Sequence, residues 1–337
     1  MKNLIRLLII FLLSSCGQPS LTTPAPEFDH AAFRAADVTI DTGAVTLAGT
    51  LLIPRDETPA PAVILIPGSG TAARNGSWNM YRSIGEYLVQ RGIAVLLYDK
   101  RGVGGSTGDW ESETFDERAQ DVAAMVTFLK SHDGIDPNRI GLIGHSQGAY
   151  IAPLVVAKYS KDVKFVVLLA GSGEKVWDQI LTNELAESLG NGLSEDEASE
   201  RLADLEGQIQ FLQKVQSPCR ALKAHYLCFV LDYDPAPALE SLTVPTLVLY
   251  AELDTQVPPD VNIPLVESAL TNAGNTDYTI HTFEESNHWF AQVEIGTTTE
   301  MRALIKQGGL DHYEFVPGFL EMLGDWIDDV VARSEWY

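Results

Sequence analysis

From about Asp37 the chain opens on an alternation of apolar and polar positions, "DVTIDTGAVTLAGTLLIP", punctuated by Gly43 and Gly49. A period of two is what a strand with one buried face requires, so this stretch predicts antiparallel edge strands. Beyond Pro54 the pattern changes. Short unbroken apolar runs recur at 62–66, 93–98, 139–143, 165–169, 246–250 and 278–283, most of them rich in Val, Ile and Leu. Such runs are expected of strands covered on both faces, as in a parallel sheet. Segments with helical spacing of apolar residues lie between them at 79–91, 114–131, 147–159 and 259–272, with a last one at 315–332. Alternating strand and helix signals predict an α/β architecture: a mostly parallel central sheet, helices on both faces, right-handed crossovers.

One interval breaks the rhythm. Residues 174–239 carry no buried-strand signal, and Ser194 with Glu197 forms a capping box ahead of Leu202, Leu205, Ile209 and Leu212 at helical spacing. The expectation is a helical cap, inserted on the side where open α/β sheets bind ligands, with extra packing as the plainer alternative. The core is then 37–173 and 240–337. Ahead of it, residues 17–36 place Pro19, Pro24 and Pro26 among Ser, Thr and Ala and read as a tether. Residues 1–16 read as an export signal: Lys2 and Arg6, an apolar run from Leu7 to Leu13, then Ser14 and Ser15 before Cys16. That run is far short of the ~20 residues a membrane-spanning helix needs.

Composition narrows the function classes. With 45% hydrophobic and 20% charged residues, the 337-residue chain has ample material for a large core. Acidic residues outnumber basic ones 46 to 23, a field that repels phosphate backbones and excludes nucleic acid as a favoured partner. Solubility is a sufficient reason for that charge. No His, Cys or Glu cluster has zinc-site spacing, and "RGVGGSTG" at 101–108 matches neither a dinucleotide fingerprint nor a Walker loop, so neither metal nor cofactor is expected. Ser217 and Pro218 read as the start of a helix running through Cys219 and Cys228. Nine residues apart on one helix, the two sulfurs would sit on opposite faces about 13 Å apart along the axis, so two free thiols are expected.

The chemistry centres on "RIGLIGHSQGAYIAP". Gly144, Ser146 and Gly148 match G-x-S-x-G between an apolar strand and a helix, the context of a nucleophile elbow. Pro153 should bend or break that helix. A serine hydroxyl needs a base to take its proton, and the base needs an acid to hold its tautomer. In chain order these should follow on loops after later strands. Asp254 lies just beyond the strand at 246–250, and His288 just beyond that at 278–283. Their rivals are weaker: Glu252 hugs its strand, Asp260 reads as a helix cap, His281 lies inside a strand, and His312 follows no strand. The oxyanion that forms needs donors from the backbone after the nucleophile, here Gln147, and from the glycine-rich loop after an early strand, where Ser69 is the choice over Gly68 or Gly70. Arg74 and Tyr81 are candidates to line the substrate pocket. "DTG" at Asp41–Gly43 matches an aspartic-protease signature, but no second copy exists to supply the partner carboxyl.

The ordered set "PGSG", "YDKRGVGGST", "RIGLIGHSQGAYIAP", "YDPAPAL", "AELDTQV" and "NHWF" resembles bacterial α/β-hydrolases of the dienelactone-hydrolase-like group of serine esterases. The resemblance spans about 37–337. It implies the α/β-hydrolase fold with a helical cap, a triad of Ser146, Asp254 and His288, an oxyanion hole at Gln147 and Ser69, and carboxylesterase action on small acyl esters. Pro67 stands where many α/β-hydrolases carry histidine. A thioesterase, acyltransferase or peptidase could run on the same triad, and a non-catalytic surface-anchored binding protein could keep the fold. "LSSC" resembles the lipobox of bacterial lipoproteins. That implies lipid attachment at Cys16 and an exported chain anchored to a membrane on its periplasmic or cell-surface side; Gly17 rather than Asp after the cysteine points to an outer membrane. Protein partners are not legible.

Overall fold

The computed structural model describes residues 33–55, 59–71, 73–222, 225–308 and 314–333. The alternating segment forms an antiparallel pair, β1 (Phe33–Asp41) and β2 (Thr46–Pro54). Its turn explains "DTG": Gly43 has φ 81°, and its N–H donates to the Asp41 carboxylate at 2.8 Å. The triplet is a surface turn. The pair begins at Phe33, whose side chain is buried, so the last four residues expected in the tether belong to the sheet instead. The predicted signal segment, the lipobox cysteine Cys16 and His312 lie outside the described residues.

The apolar runs become β3 (Ala60–Ile66), β4 (Ala94–Tyr98), β5 (Ile135–His145), β6 (Val163–Leu169), β7 (Thr246–Ala251) and β8 (Tyr278–Phe283). One eight-stranded sheet has the order β1-β2-β4-β3-β5-β6-β7-β8, antiparallel as far as the β2–β4 pairing and parallel from β4 onward. Every residue of β3, β4 and β7 is buried, which is why their sequences show no alternation. Alternate side chains feed two cores. Ile64, Leu96, Leu142, Val166 and Val248 face helices α2 (Phe115–Lys130), α3 (Gly148–Lys158) and α9 (Pro259–Asn272). Val63, Val95, Ile143, Val167 and Leu247 face α1 (Met80–Gln90) and α11 (Phe319–Val331). From β3 the chain moves to β4 on one side and later to β5 on the other. The carboxyl ends of β3 and β5 therefore flank a topological switch point, where such sheets bind ligands.

Helix α3 continues across Pro153 without the break its sequence predicts. A further helix, α10 (Thr298–Gly308), was not anticipated, and α11 begins at Phe319 rather than 315 because Gly318 takes a left-handed backbone, φ 86°. Between β6 and β7 lie α4 (Val176–Gly190), α5 (Glu195–Lys214), α6 (Gln216–Leu222), α7 (Leu227–Val230) and α8 (Ala236–Leu239). Ser194 and Glu197 form the capping box of α5, and Leu205, Ile209 and Leu212 are its buried stripe. The two cysteines depart from expectation: Cys219 and Cys228 are joined by a disulfide, Cα atoms 6.1 Å apart. The geometry argued against bridging assumed one continuous helix. In fact residues 225 and 226 are not helical, so the cysteines sit on different segments, Cys219 on α6 and Cys228 on α7.

Packing around β5 is tight. Gly141 is in register with Phe165 of β6, and a β-carbon at 141 would collide with the edge of the Phe165 ring. Gly141→Ala should therefore destabilise the fold by about 1–3 kcal/mol through overpacking. In combination with Phe165→Leu, part of that loss should be recovered. Urea titration of the two single variants and the double variant checks this; strictly additive losses would remove the proposed clash.

Candidate active site

The strand-to-helix turn after β5 places Ser146 in a left-handed conformation, φ 54°. A side chain there carries steric cost, and the surroundings hold it in place. The Ser146 N–H donates to the Leu169 carbonyl of β6 at 2.8 Å, extending the sheet pairing one residue past His145. A β-carbon on Gly144 would collide with the Gly148 backbone, and one on Gly148 with the Ile66 carbonyl. Both glycines of the motif are thus demanded by close backbone approach. The loop after β3 runs just as near: a β-carbon on Gly68 would lie 3.2 Å from that of Ser146.

Asp254 and His288 meet in the loops after β7 and β8, where the sequence order placed them. His288 Nδ1 lies 2.7 Å from Asp254 Oδ2, and both side chains are buried. The other carboxylate oxygen, Oδ1, accepts the backbone N–H groups of Gln256 and Val257, each at 2.8 Å. With both oxygens fixed, Nδ1 carries the proton and Nε2 is left with a lone pair, the form a general base needs. The two loops are registered against each other by Glu252 N–H to Phe283 and Leu253 N–H to Ser286, both 2.9 Å. Asn287, which the sequence did not single out, holds the histidine turn by accepting from the N–H groups of Trp289 (3.0 Å) and Ala291 (3.2 Å). Among the described residues no hydrogen bond joins Ser146 to His288; such contacts are often long without substrate and tighten on binding.

The rivals take other roles. The Glu252 carboxylate accepts the Glu285 N–H at 3.0 Å at the surface, Asp260 lies in the first turn of α9, and His281 is exposed on β8.

His145 joins the elbow to both neighbouring loops. Its Nε2 lies 3.0 Å from the His288 carbonyl, which can only accept, so Nε2 bears the proton. Burial, with nearby His288 adding to it, pushes the His145 pKa down to about 3, so the ring is neutral and Nδ1 must accept. The donor is the Tyr81 hydroxyl at 2.9 Å, which itself accepts the Gly68 N–H at 2.8 Å. One directed chain runs from Gly68 through Tyr81 and His145 to the backbone of His288. Tyr81 is therefore a buried strut behind the site rather than a pocket wall. Arg74 also departs from expectation: it binds Asp99 (2.8 Å), Asp37 (3.1 Å) and Thr50 (2.9 Å), tying the loop after β3 to β1, β2 and the end of β4.

Two further side chains grip the same loop. Lys100 Nζ donates to the carbonyls of Gly68 (2.8 Å) and Gly70, and Arg118 donates to the Pro67 carbonyl (2.9 Å) and to the Gln147 side-chain oxygen. Burial pushes Lys100 well below the usual lysine range, with Arg118 adding and Glu113 opposing. Lys100 sits inside "YDKRG", a motif that carried the family resemblance but no role, whereas Arg118 had no local signal. The Gly68 N–H is spent on Tyr81, while the N–H groups of Ser69 and Gln147 have no acceptor among the described residues. These two residues line a cleft of about 810 Å³, its open mouth included, together with Ser146, Ile180 of the cap and Val257. The cap helix is fastened there: Gln179 donates to the Gln256 carbonyl (2.7 Å) and Asn183 to that of Thr255 (3.1 Å). Among the described residues no cluster of His, Cys, Asp or Glu could hold a metal ion.

The buried neutral His145 has a consequence for acid stability. Its ordinary value is 6.5 and its folded value about 3, so between these the unfolded chain binds a proton that the folded chain does not. Stability should fall as pH drops through that window, by at most about 1.4 kcal/mol per pH unit from this group. His145→Gln should therefore lose stability less steeply than the parent in urea titrations between about pH 6 and about pH 4. Parallel slopes would contradict the assignment.

A family model described as serine aminopeptidase, S33, matches residues 58–292. Esterase EstD of Thermotoga maritima is 27% identical over 298 residues, covering 85% of this chain and 67% of the relative. The bifunctional esterase/perhydrolase DCH of Acinetobacter calcoaceticus is 25% identical over 240 residues, covering 64% of this chain and 83% of the relative. Among solved structures, an esterase of Pyrococcus furiosus superposes with a TM-score of 0.58 at 17% identity, over 94% of this chain and 100% of that one, a likeness of fold. With the elbow, the eight-stranded sheet and the family match over most of its length, the chain belongs to the α/β-hydrolases of the serine aminopeptidase S33 family.

Proposed function

We propose that this chain is a serine hydrolase that cleaves small, uncharged carboxylic esters through an acyl-enzyme on Ser146. The observation that carries the reading is the buried His288–Asp254 pair, whose loop His145 ties to the elbow serine, together with a cleft at Ser146 where two backbone N–H groups have no acceptor among the described residues. The esterase relatives support the same class of reaction.

In this mechanism His288 Nε2 takes the Ser146 hydroxyl proton as Oγ bonds to the ester carbonyl carbon. The carbonyl oxygen becomes an oxyanion held by the N–H groups of Ser69 and Gln147. Collapse breaks the bond to the alcohol oxygen, which leaves with the proton from His288. Water, deprotonated by the same histidine, then attacks the acyl-enzyme and frees the acid and Ser146. Asp254 orients the imidazole and stabilises its charged form.

Substrate charge follows from the cleft wall. No Asp, Glu, Lys or Arg is among its described lining residues, which mix apolar Val176, Ile180 and Leu227 with the carboxamides of Gln179 and Asn183. A free α-ammonium of a peptide finds no carboxylate there, so ester cleavage is favoured over aminopeptidase action. A substrate carboxylate likewise finds no cation among the described lining residues. The motif resemblance to dienelactone-hydrolase-like esterases is therefore kept as a narrower subgroup reading, without a charged lactone as substrate. We further propose export, with acyl chains on Cys16 holding the domain at a membrane on the periplasmic or cell-surface side; the basic, apolar and small-residue order of residues 1–16 supports this.

Ser146→Ala should abolish hydrolysis of p-nitrophenyl esters while leaving the folded state intact, and fluorophosphonate labelling should be lost with it. Near-normal turnover in that variant would overturn the assignment. Against p-nitrophenyl butyrate, a monosuccinate ester and an aminoacyl ester of similar size should each show kcat/KM at least ~10-fold lower. Palmitate incorporation that survives Cys16→Ala would remove the proposed anchor.

A further inference from the structure

Lys100 follows β4 and is 3% exposed, yet it makes no ion pair at hydrogen-bond distance among the described residues. Its amino group is spent on two backbone carbonyls, those of Gly68 and Gly70. The Gly68 carbonyl belongs to the same planar peptide group as the Ser69 N–H, and across a trans peptide the two point in opposite directions. Whatever holds the carbonyl therefore aims the N–H. We propose that Lys100 is a positioning residue: it anchors the carbonyl end of the Gly68–Ser69 peptide so that the Ser69 N–H faces the oxyanion formed at Ser146.

The loop needs such an anchor. Glycines at 68 and 70 make rotation of the intervening peptides inexpensive, and Gly70 already has φ 74°. If the Gly68–Ser69 peptide turned over, it would present an oxygen to the developing negative charge and repel what it should stabilise. The preceding peptide, Pro67–Gly68, is held separately at both ends, its C=O by Arg118 and its N–H by Tyr81. Lys100 restrains the next one, whose N–H has no acceptor among the described residues, and through the Gly70 carbonyl the far end of the same turn. A charged ammonium and a neutral amine can both donate two hydrogens, so the grip survives in either protonation state. Donation to the carbonyl also polarises the peptide and strengthens the opposite N–H as a donor.

The inference rests on the esterase reading, and its test separates the two. Full-length parent, Lys100→Met and Lys100→Gln are compared on p-nitrophenyl acetate and its thionoester, whose sulfur accepts hydrogen bonds poorly and so depends less on the oxyanion donors. Lys100→Met should lower kcat on the oxygen ester by roughly 10- to 100-fold, with KM changed by no more than about 3-fold. The loss on the thionoester should be at least about 5-fold smaller, and Lys100→Gln, which keeps one donor, should fall between parent and Met variant. If Lys100→Met does not fold, by circular dichroism, the Gln variant carries the same comparison. Equal losses on both esters, or no loss, would overturn the positioning role while the esterase reading stands. A parent protein that turns over neither ester overturns both.

Discussion

The left-handed backbone at Ser146 is the constraint around which the neighbouring structure is arranged. It survives because strands β3, β5 and β6 lock the turn from both sides, Ile66 in register with Gly144 and His145 with Leu169. It also survives because Gly144 and Gly148 supply no side chain where backbones nearly touch. Such a conformation costs of order 1–3 kcal/mol, and only a heavily paired surrounding can impose it. The return is exposure: Ser146 and Gln147 stand partly open to the cleft, between buried His145 and buried Gly148.

Around that turn, preorganisation is achieved mostly by side chains bonding to main chain. Of the polar groups of residues 67–70, Arg118 and Tyr81 take one each and Lys100 takes two, and Asp254 divides its two oxygens between His288 and its own loop. Few of these contacts touch a substrate. Together they remove the reorganisation that would otherwise accompany charge development, which is where enzymes of this kind gain most of their rate. Burial sets the protonation pattern: Glu113, packed near Arg101 and Arg118, is pushed up to about 7 by desolvation, opposed by those cations.

The sheet, the helices between β6 and β7, the turn at Ser146 and the pairing of Asp254 with His288 were legible because each leaves a local mark. Buried strands lose their alternation, capping boxes announce helices, and the elbow needs glycines at fixed offsets. What was not legible depends on contacts between distant segments. Arg74 and Tyr81, near the β3 loop in sequence, read as pocket residues; in space they turn behind the loop, to Asp99 and His145. The disulfide contradicts the expected free thiols because helical geometry does not carry across the non-helical residues 225 and 226, which no local signal marks. At Pro153 the expected break does not occur, since a helix packed on a buried sheet tolerates what an isolated one would not.

The two carboxamides of α4 bear on how far the Asp254 loop depends on the helices between β6 and β7. Gln179 and Asn183 hold the carbonyls of Gln256 and Thr255, the same turn whose N–H groups grip Asp254. Helix and carboxylate are thus braced through one short stretch of main chain, its oxygens facing one way and its N–H groups the other. A substitution on α4 would reach Asp254 without touching it.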